Sequence, residues 1–592
     1  MSSRPKLTGG ALIARALKAE GVTRVFGIID GTYFGLYHAL ADAGIELVSP
    51  RHETTAAHMA GAYARLTGNL GVVMASNGPG VANVLPGVVV EQGEGNRVLL
   101  LTSSRRAGIS APDRGGTYQC FDQVAVTRPT TKWAEHVPSR DRLGELLRHA
   151  LRAVHDGRPG VVHLDVPEDL INGAGELDLN DARPASSYRS HVPLPPDADQ
   201  VRAAADLLAN AQRPLLHAGS GVHHADAEAE LAELAALLGA PVTTSWAGRA
   251  TIVESDPHAV PMVHVDLVDQ VRNACDAVLV LGSRLGETDW WGKAPNWASP
   301  DAAPTVQVDH DPAVLGATRR LHLAVRADVK LTLRALIDEL ATRGPSPHAA
   351  TRTAWRADIA DARRADRAKL DEALTDDRDP LHPARIPTLA QEVLPDDTVW
   401  VFDGGNTAVW ANFFHEVRRP RSLLSTFKFG MLGAGMGQAL GAKVAAPDRP
   451  VCCLIGDGAF GMHPQEVETA VRHGLAVVWV VFVDQQWGMV KMSQSIAAKP
   501  LKTVARKLVL DKALPEGDTV YADFAPIRYD ELARSMGAHG EHVSSPAALR
   551  DALARCAALD GPSVIHAEVD RGAHLWAPGL RTFKKMHEEP AG

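Results

Sequence analysis

One strand–helix–strand unit in the C-terminal third constrains the fold of this chain more than any other stretch. Residues 451–455 form an apolar run, residues 464–473 have helical periodicity, and residues 477–483 form a second apolar run. This order predicts a βαβ unit with two parallel, buried strands. Further apolar runs alternate with helical segments along the whole chain, which predicts parallel sheets with helices on their faces.

Each strand of this unit ends at an acidic residue. Asp457 lies between two glycines after the first strand, and Asp484 follows the second strand. Ligands of open α/β sheets bind outside the carboxyl ends of the strands. Two carboxylates at such an edge suit Mg²⁺, and the flanking glycines permit close backbone approach. Because Mg²⁺ in proteins usually accompanies phosphate oxygens, the sequence predicts a site for magnesium and a diphosphate.

This pattern resembles the cofactor motif of the thiamine-diphosphate-dependent superfamily of acetolactate synthase, pyruvate oxidase and benzaldehyde lyase. The resemblance implies that Asp457, Asp484 and Gln486 ligate Mg²⁺, and that Gly456, Gly458 and Ala459 contact the cofactor. The chain departs from the family pattern, which usually has Asn-Asn where Val483-Asp484 stands here. Aspartate still offers an oxygen ligand, but its charge beside a diphosphate should change the metal affinity. The alternative is a G-D-G turn without a ligand.

A second motif lies near the N-terminus. Glu53 ends an Arg-His-Glu triplet, a segment of small residues follows at 56–65, and Asn77-Gly78-Pro79-Gly80 comes after it. The spacing resembles the same superfamily, which implies that Glu53 contacts the pyrimidine N1′ of the cofactor and serves proton transfer there. Gly80 would then allow close approach of the cofactor or of a partner chain. Judged alone, Glu53 is more typical of an exposed acid in the first turn of a helix, where the helix dipole favours it.

Three further segments resemble the family. Residues 118–133 are similar to a stretch whose glutamine faces the reacting centre, which implies a catalytic role for Gln119, the alternative being a loop residue. Asp403-Gly404-Gly405-Asn406-Thr407 is similar to the diphosphate-side loop, where backbone N–H groups meet phosphate oxygens. Residues 427–442 resemble the run that places an apolar wedge between the cofactor rings, here Leu432 or else a core residue.

The length of 592 residues predicts about three to four domains. We expect an α/β fold with three doubly wound parallel-sheet domains: a pyrimidine-binding domain (1–182), a middle domain (198–345) and a diphosphate-binding domain (380–575), followed by a tail or lid (576–592). The resemblance implies that the middle domain holds FAD, an adenine nucleotide or CoA, or no ligand. The charged run at 352–379 is predicted to be a solvated helix.

The composition excludes several classes of protein. The net charge of −9 gives no sign of a nucleic-acid or membrane-binding surface. No run of about 18 apolar residues and no secretory leader are evident. The five cysteines lack metal-ligand spacing and fit a reducing compartment, so we expect a cytoplasmic protein.

The resemblance implies an enzyme, a transferase or lyase that uses thiamine diphosphate. The leading hypothesis is an acetolactate-synthase-like carboligase and decarboxylase acting on pyruvate or another 2-oxo acid. The alternatives are a lyase acting on a 2-hydroxyacyl-CoA or 2-hydroxyketone, with an acyl-CoA, aldehyde or ketone as reactant, and a non-catalytic cofactor-binding protein. In this superfamily the cofactor lies between the first domain of one subunit and the third domain of another, which implies a homodimer or homotetramer.

Overall fold

The computed structural model describes residues 6–579, except 111, 113, 191, 427, 500–502 and 504–518. The chain forms three parallel sheets flanked by helices, and this confirms the predicted α/β class with three doubly wound domains. Most of the predicted C-terminal tail or lid, residues 580–592, lies outside the described residues. Among the described residues, no helix combines the length and the apolar composition that crossing a bilayer requires.

The first domain contains a six-stranded sheet and a two-stranded antiparallel sheet. Its strands are β1 (Lys6–Thr8), β2 (Arg24–Gly27), β3 (Glu46–Val48), β4 (Gly71–Ala75), β5 (Val98–Ser104), β6 (Trp133–His136), β7 (Val161–Pro167) and β8 (Ala174–Glu176). The order in the large sheet is β3-β2-β4-β5-β7-β6, and β1 pairs with β8. Its α-helices are Gly9–Ala19, Phe34–Asp42, Glu53–Thr67, Pro79–Glu94, Ala107–Ser110, Gln123–Thr127, Arg140–His155 and Glu168–Asn172.

The middle domain contains a five-stranded sheet. Its strands are β9 (Pro214–Ala218), β10 (Val242–Thr244), β11 (Ala277–Leu281), β12 (Thr305–Asp309) and β13 (Leu323–Arg326), in the order β10-β9-β11-β12-β13. Its α-helices are Ala198–Asn210, Gly221–His224, Glu228–Leu238, Val265–Ala274 and Val329–Ala341. The charged helix Ala349–Asp371 follows.

The third domain repeats the strand order of the first. Its strands are β14 (Val399–Asp403), β15 (Leu423–Ser425), β16 (Val451–Gly456), β17 (Val477–Val483), β18 (His539–Val543) and β19 (Ser563–Glu568), in the order β15-β14-β16-β17-β19-β18. Its α-helices are Arg385–Val393, Asn406–Phe414, Ala434–Ala445, Asp457–Phe460, Glu466–His473, Gly488–Ala498, Tyr529–Ser535, Pro546–Ala557 and Arg571–Leu575. All residues of the apolar β17 are buried, as expected for a central strand of a parallel sheet.

The first and third domains pack against each other through two helices rich in small residues. The helix Ala434–Ala445 lies along the helix Glu53–Thr67, and both contribute to one hydrophobic core. A Cβ atom at Gly437 would lie 2.7 Å from the His58 Cβ atom, and one at Gly441 would collide with the Met59 carbonyl oxygen. These glycines therefore set how closely the two helices approach.

Candidate functional site

A cavity of about 290 Å³ lies at the carboxyl edge of the third sheet. β14 lies between β15 and β16 in the sheet. The connection from β14 leads to its neighbour on one side, β15, and the connection from β15 leads to the neighbour of β14 on the other side, β16. Such a topological switch opens a crevice between the loops that follow the two strands. The segments that follow β14, β15, β16 and β17 line this cavity. They carry most of the predicted site residues: Asn406, Thr407, Leu432, Gly456, Asp457, Gly458, Ala459, Asp484 and Gln486.

One end of the cavity is built to receive an anion. The helices Asn406–Phe414 and Gly488–Ala498 both begin in its wall, and helix N-termini present free N–H groups and a partial positive charge. The Asn406 side chain is 3% exposed, yet neither its amide oxygen nor its nitrogen has a hydrogen-bond partner among the described residues. A buried polar group without a partner is costly, so Asn406 is poised to bind a polar ligand.

Two buried carboxylates lie beside this end of the cavity. The Asp457 oxygens accept hydrogen bonds from the backbone N–H groups of Gly458, at 2.8 Å, and Gln485, at 2.7 Å. Burial, and next the charge of Asp484, raises the pKa of Asp457 to about 7. Like charges close together in a dry site disfavour ionisation, and a bound divalent cation would reverse that effect.

Asp484 has two side-chain neighbours. The His574 Nδ1 atom lies 2.6 Å from Asp484 Oδ2, and the Gln486 amide nitrogen donates to the same oxygen at 3.0 Å. His574 is not among the predicted site residues, and it comes from the short helix Arg571–Leu575 far along the chain. A residue that reaches the site from a separate helix has no fixed sequence spacing from the other site residues, so no motif identifies it.

A glycine keeps this part of the cavity open. A Cβ atom at Gly488 would lie 2.9 Å from the Asn406 amide nitrogen and 3.3 Å from Asp484 Oδ2. Any side chain at Gly488 would therefore fill the space between the anion-binding end and the carboxylates. Oxygen ligands beside free N–H groups and an unpartnered amide form a donor set that fits Mg²⁺ with a diphosphate.

The predicted residues of the first domain lie elsewhere, because every residue lining this cavity comes from the third domain. Glu53 is 8% exposed and accepts a hydrogen bond from the Asn83 amide at 3.1 Å. Gln119 has a positive φ of 51°, and its carbonyl oxygen accepts from the Asn77 amide at 2.8 Å. Gly80 lies in the first turn of the helix that carries Asn83. The chain thus groups Glu53, Gly80 and Gln119 at the carboxyl edge of the first sheet, apart from Asp457.

A larger cavity, of about 590 Å³, lies at the carboxyl edge of the middle sheet. Ser220 and Gly221, which follow β9, and Asp309, at the end of β12, belong to its lining. The first domain contributes Arg97 and Arg158. Burial is the largest influence on Arg158, and it lowers the pKa of that side chain to about 10. Arg284 and Lys428 add further positive charge to the lining.

Comparison with known proteins agrees with this arrangement. Residues 7–126, 201–336 and 403–567 match the N-terminal TPP binding domain, the central domain and the C-terminal TPP binding domain of the thiamine pyrophosphate enzymes. The acetolactate synthase large subunit IlvG of Mycobacterium tuberculosis is 31% identical over 565 residues, 95% of each chain. The acetolactate synthase isozyme 2 large subunit of Escherichia coli is 28% identical over 96% of this chain and 97% of that protein. The sulfoacetaldehyde acetyltransferase of Castellaniella defragrans is 30% identical over 83% of each chain.

Proposed function

The chain belongs to the thiamine pyrophosphate enzyme family, and from this premise we propose that it is a thiamine-diphosphate- and Mg²⁺-dependent carboligase acting on pyruvate or another 2-oxo acid. The similarity to acetolactate synthase large subunits over nearly the full length of both proteins supports this reaction. The observation that carries the proposal is the pair of carboxylates, Asp457 and Asp484, beside the unpartnered Asn406 amide in one cavity.

The residues of the third domain hold the cofactor in this proposal. Asp457, Asp484 and Gln486 bind Mg²⁺, while Asn406, Thr407 and the adjacent helix N-terminus hold the diphosphate. Leu432, which lines the cavity, would make an apolar contact with the bound cofactor. When bound, thiamine diphosphate supplies an electron sink for breaking and forming the bond next to a carbonyl carbon.

The residues of the first domain supply proton transfer. The buried Glu53 carboxyl group would lie at the pyrimidine N1′ atom and exchange a proton with it. Gln119 offers a neutral hydrogen-bonding group to an oxygen of the substrate. Gly80 permits close approach of the backbone to the pyrimidine. These roles require the carboxyl edge of the first sheet to face a cofactor held by a third domain.

Because Glu53 and Asp457 do not share a cavity within one chain, we propose that a second copy of the chain completes each site. Exposed apolar side chains on the first domain support this assembly, since they cluster near the carboxyl edge of its sheet: Ile29, Phe34, Tyr118 and Phe121. Exposed apolar side chains also flank the cavity of the third domain: Phe429, Met462 and Val490. Covering both patches in a homodimer, or in a tetramer of such dimers, would remove them from water.

The middle cavity is proposed to bind FAD or another adenine nucleotide. Its arginine and lysine side chains suit a diphosphate, and Asp309 at the end of β12 suits a ribose hydroxyl. We expect calorimetric titration with FAD and with ADP to show saturable binding that Arg284→Gln weakens at least roughly tenfold. Equal affinity of the variant and the wild type would remove this cavity from the proposal.

The direct test of the reaction is turnover of pyruvate by the purified protein with thiamine diphosphate and Mg²⁺, with products identified by mass spectrometry. We expect acetolactate, formed only when both the cofactor and the metal are present. Absence of pyruvate consumption while the cofactor is bound would refute the proposed substrate. A 2-hydroxyacyl-CoA and a 2-hydroxyketone are then the next substrates to supply.

A second candidate follows from the similarity to sulfoacetaldehyde acetyltransferases. The same assay with sulfoacetaldehyde in place of pyruvate, and with inorganic phosphate added as the acceptor of the acetyl group, separates the two candidates. Consumption of sulfoacetaldehyde at a higher kcat/KM than that of pyruvate would favour an acetyltransferase over a carboligase.

A further inference from the structure

The family resemblance implies an asparagine at the position of Asp484, so this chain has one negative charge more there than the family pattern. The two oxygens of this carboxylate have different surroundings. Oδ2 has the His574 Nδ1 atom at 2.6 Å and the Gln486 amide nitrogen at 3.0 Å. Oδ1 has no hydrogen-bond partner among the described residues, and Asp484 lines the cavity.

His574 is held in place from several sides. Its side chain is 5% exposed, and its Nε2 atom lies 3.1 Å from the Thr407 hydroxyl oxygen. The Trp410 indole donates to the His574 carbonyl oxygen at 3.0 Å, and Asp570 caps the start of the short helix that carries His574. A carboxylate can only accept hydrogen bonds, so the Nδ1 atom of this fixed ring carries the proton that it shares with Asp484.

We propose that His574, together with Gln486, holds Oδ2 of Asp484 and leaves Oδ1 as a single metal ligand, as the amide oxygen of an asparagine would be. The inference rests on the proposed function, because it assigns His574 a role toward the Mg²⁺ that the cofactor requires. A carboxylate with two free oxygens can bind a cation through both, which suits Ca²⁺. Mg²⁺ demands near-octahedral geometry, so a carboxylate limited to one oxygen suits it better. His574 is thus a positioning residue for the metal.

The test compares two substitutions that differ in where they place an N–H group. His574→Asn keeps a donor near the position of Nδ1, whereas His574→Gln moves the donor toward the position of Nε2. We measure by calorimetry the Mg²⁺ concentration at which half of the protein binds thiamine diphosphate. His574→Gln should raise it about 10- to 100-fold, and His574→Asn should stay within roughly threefold of the wild type. Equal effects of the two variants would overturn the proposal.

A double-mutant comparison tests whether His574 acts through Asp484. In an Asp484→Asn background the ligand is an amide that presents one oxygen by itself, so adding His574→Gln should change the Mg²⁺ requirement by no more than roughly threefold. A full effect of His574→Gln in that background would mean that His574 does not act through Asp484, and the proposal would fail.

A matched control comes from the same domain. The His542 Nε2 atom also lies close to a carboxylate, 2.7 Å from Glu568, but His542 does not line the cavity. His542→Gln should leave the Mg²⁺ requirement unchanged, and a shift equal to that of His574→Gln would refute a specific role. Thiamine diphosphate binding by the wild type separates this inference from the proposed function. If the wild type fails to bind the cofactor at any Mg²⁺ concentration, both fall; if it binds and the His574 variants match it, only the inference falls.

Discussion

Asp457 and Asp484 place two acidic side chains close together in a buried site, which is unfavourable unless a ligand compensates for it. Burial and the neighbouring charge raise the pKa of Asp457 to about 7, so the metal-free protein carries the ionised form of this one carboxyl group at a cost in stability. In the proposed function, a divalent cation bound beside these carboxylates would convert that cost into binding free energy. This residue-scale property explains why a metal is expected at this point of the fold.

In the proposed function, proton transfer depends on Glu53. Glu53→Gln keeps the shape of the side chain and a hydrogen-bonding group, but it cannot share a proton with a ring nitrogen. We expect kcat to fall at least ~100-fold while calorimetry shows unchanged cofactor binding. Glu46→Gln, an exposed acid in the same domain, is the control and should keep full activity. Near-normal turnover of Glu53→Gln would rule out the proton-transfer role.

A buried histidine makes the stability of the first domain depend on pH. His163 is fully buried between the Thr102 and Thr127 hydroxyl oxygens, at 2.7 and 2.6 Å, and burial lowers its pKa to about 4. The unfolded chain binds a proton at about pH 6.5, so the stability from neutral His163 is complete above that pH and is lost as the pH falls toward 4.

His163→Gln removes this titration. As the pH falls from 7 to 4, the wild type should therefore lose up to about 3 kcal/mol of unfolding free energy that the variant does not lose. Thermal unfolding at a series of pH values measures it, with the exposed His38→Gln as the control. A difference between the variant and the wild type that does not change with pH would contradict the assignment.

The residues of the site differ in how well the sequence alone predicts them. Asp457 and Asp484 follow buried strands, so the position of their side chains at the sheet edge could be predicted from periodicity alone. Asn406 and Leu432 needed the family resemblance. His574 could not be predicted, because its contact with Asp484 depends on how a later helix packs. The separation of Glu53 from Asp457 within one chain was implied only by the resemblance.

At the scale of elements, the contact between the helices Glu53–Thr67 and Ala434–Ala445 ties the first domain to the third. Gly441→Ala adds a methyl group where the Met59 backbone leaves no room. We expect the free energy of unfolding to fall by about 1–3 kcal/mol, with a lower thermal midpoint. Gly108→Ala is the matched control, because a Cβ atom there meets nothing within 4 Å. If both variants unfold at the same temperature, the packing argument fails.

Secondary structure was predictable where burial is uniform. β16 and β17 are apolar along their whole length, and periodicity identified both. Edge strands such as β6 and β18 are short and partly exposed. Their sequences mix polar and apolar residues, so they cannot be identified as strands from an apolar run. The helix Ala349–Asp371 was expected to be solvated, yet Arg352 is 2% exposed. Its guanidinium donates to four backbone carbonyls near the ends of two helices, those of Leu208, Ala209, Ala211 and Leu238.

At the scale of the whole molecule, the first and third domains share one strand order and each presents functional residues at its carboxyl edge. In the proposed function, the third domain holds the metal and the diphosphate, and the first domain supplies the acid. Neither set is sufficient for the proposed chemistry. A homodimer in which the first domain of each chain faces the third domain of its partner would bring the two sets together twice.

Complementation between two inactive variants tests this claim most directly. Glu53→Gln and Asp457→Ala are coexpressed with different affinity tags, and the heterodimer that carries both tags is purified. If the site is shared, one of its two sites combines an intact Glu53 with an intact Asp457, and we expect about half of the wild-type specific activity. A heterodimer as inactive as its two parents, prepared beside an active wild-type dimer, would contradict the account.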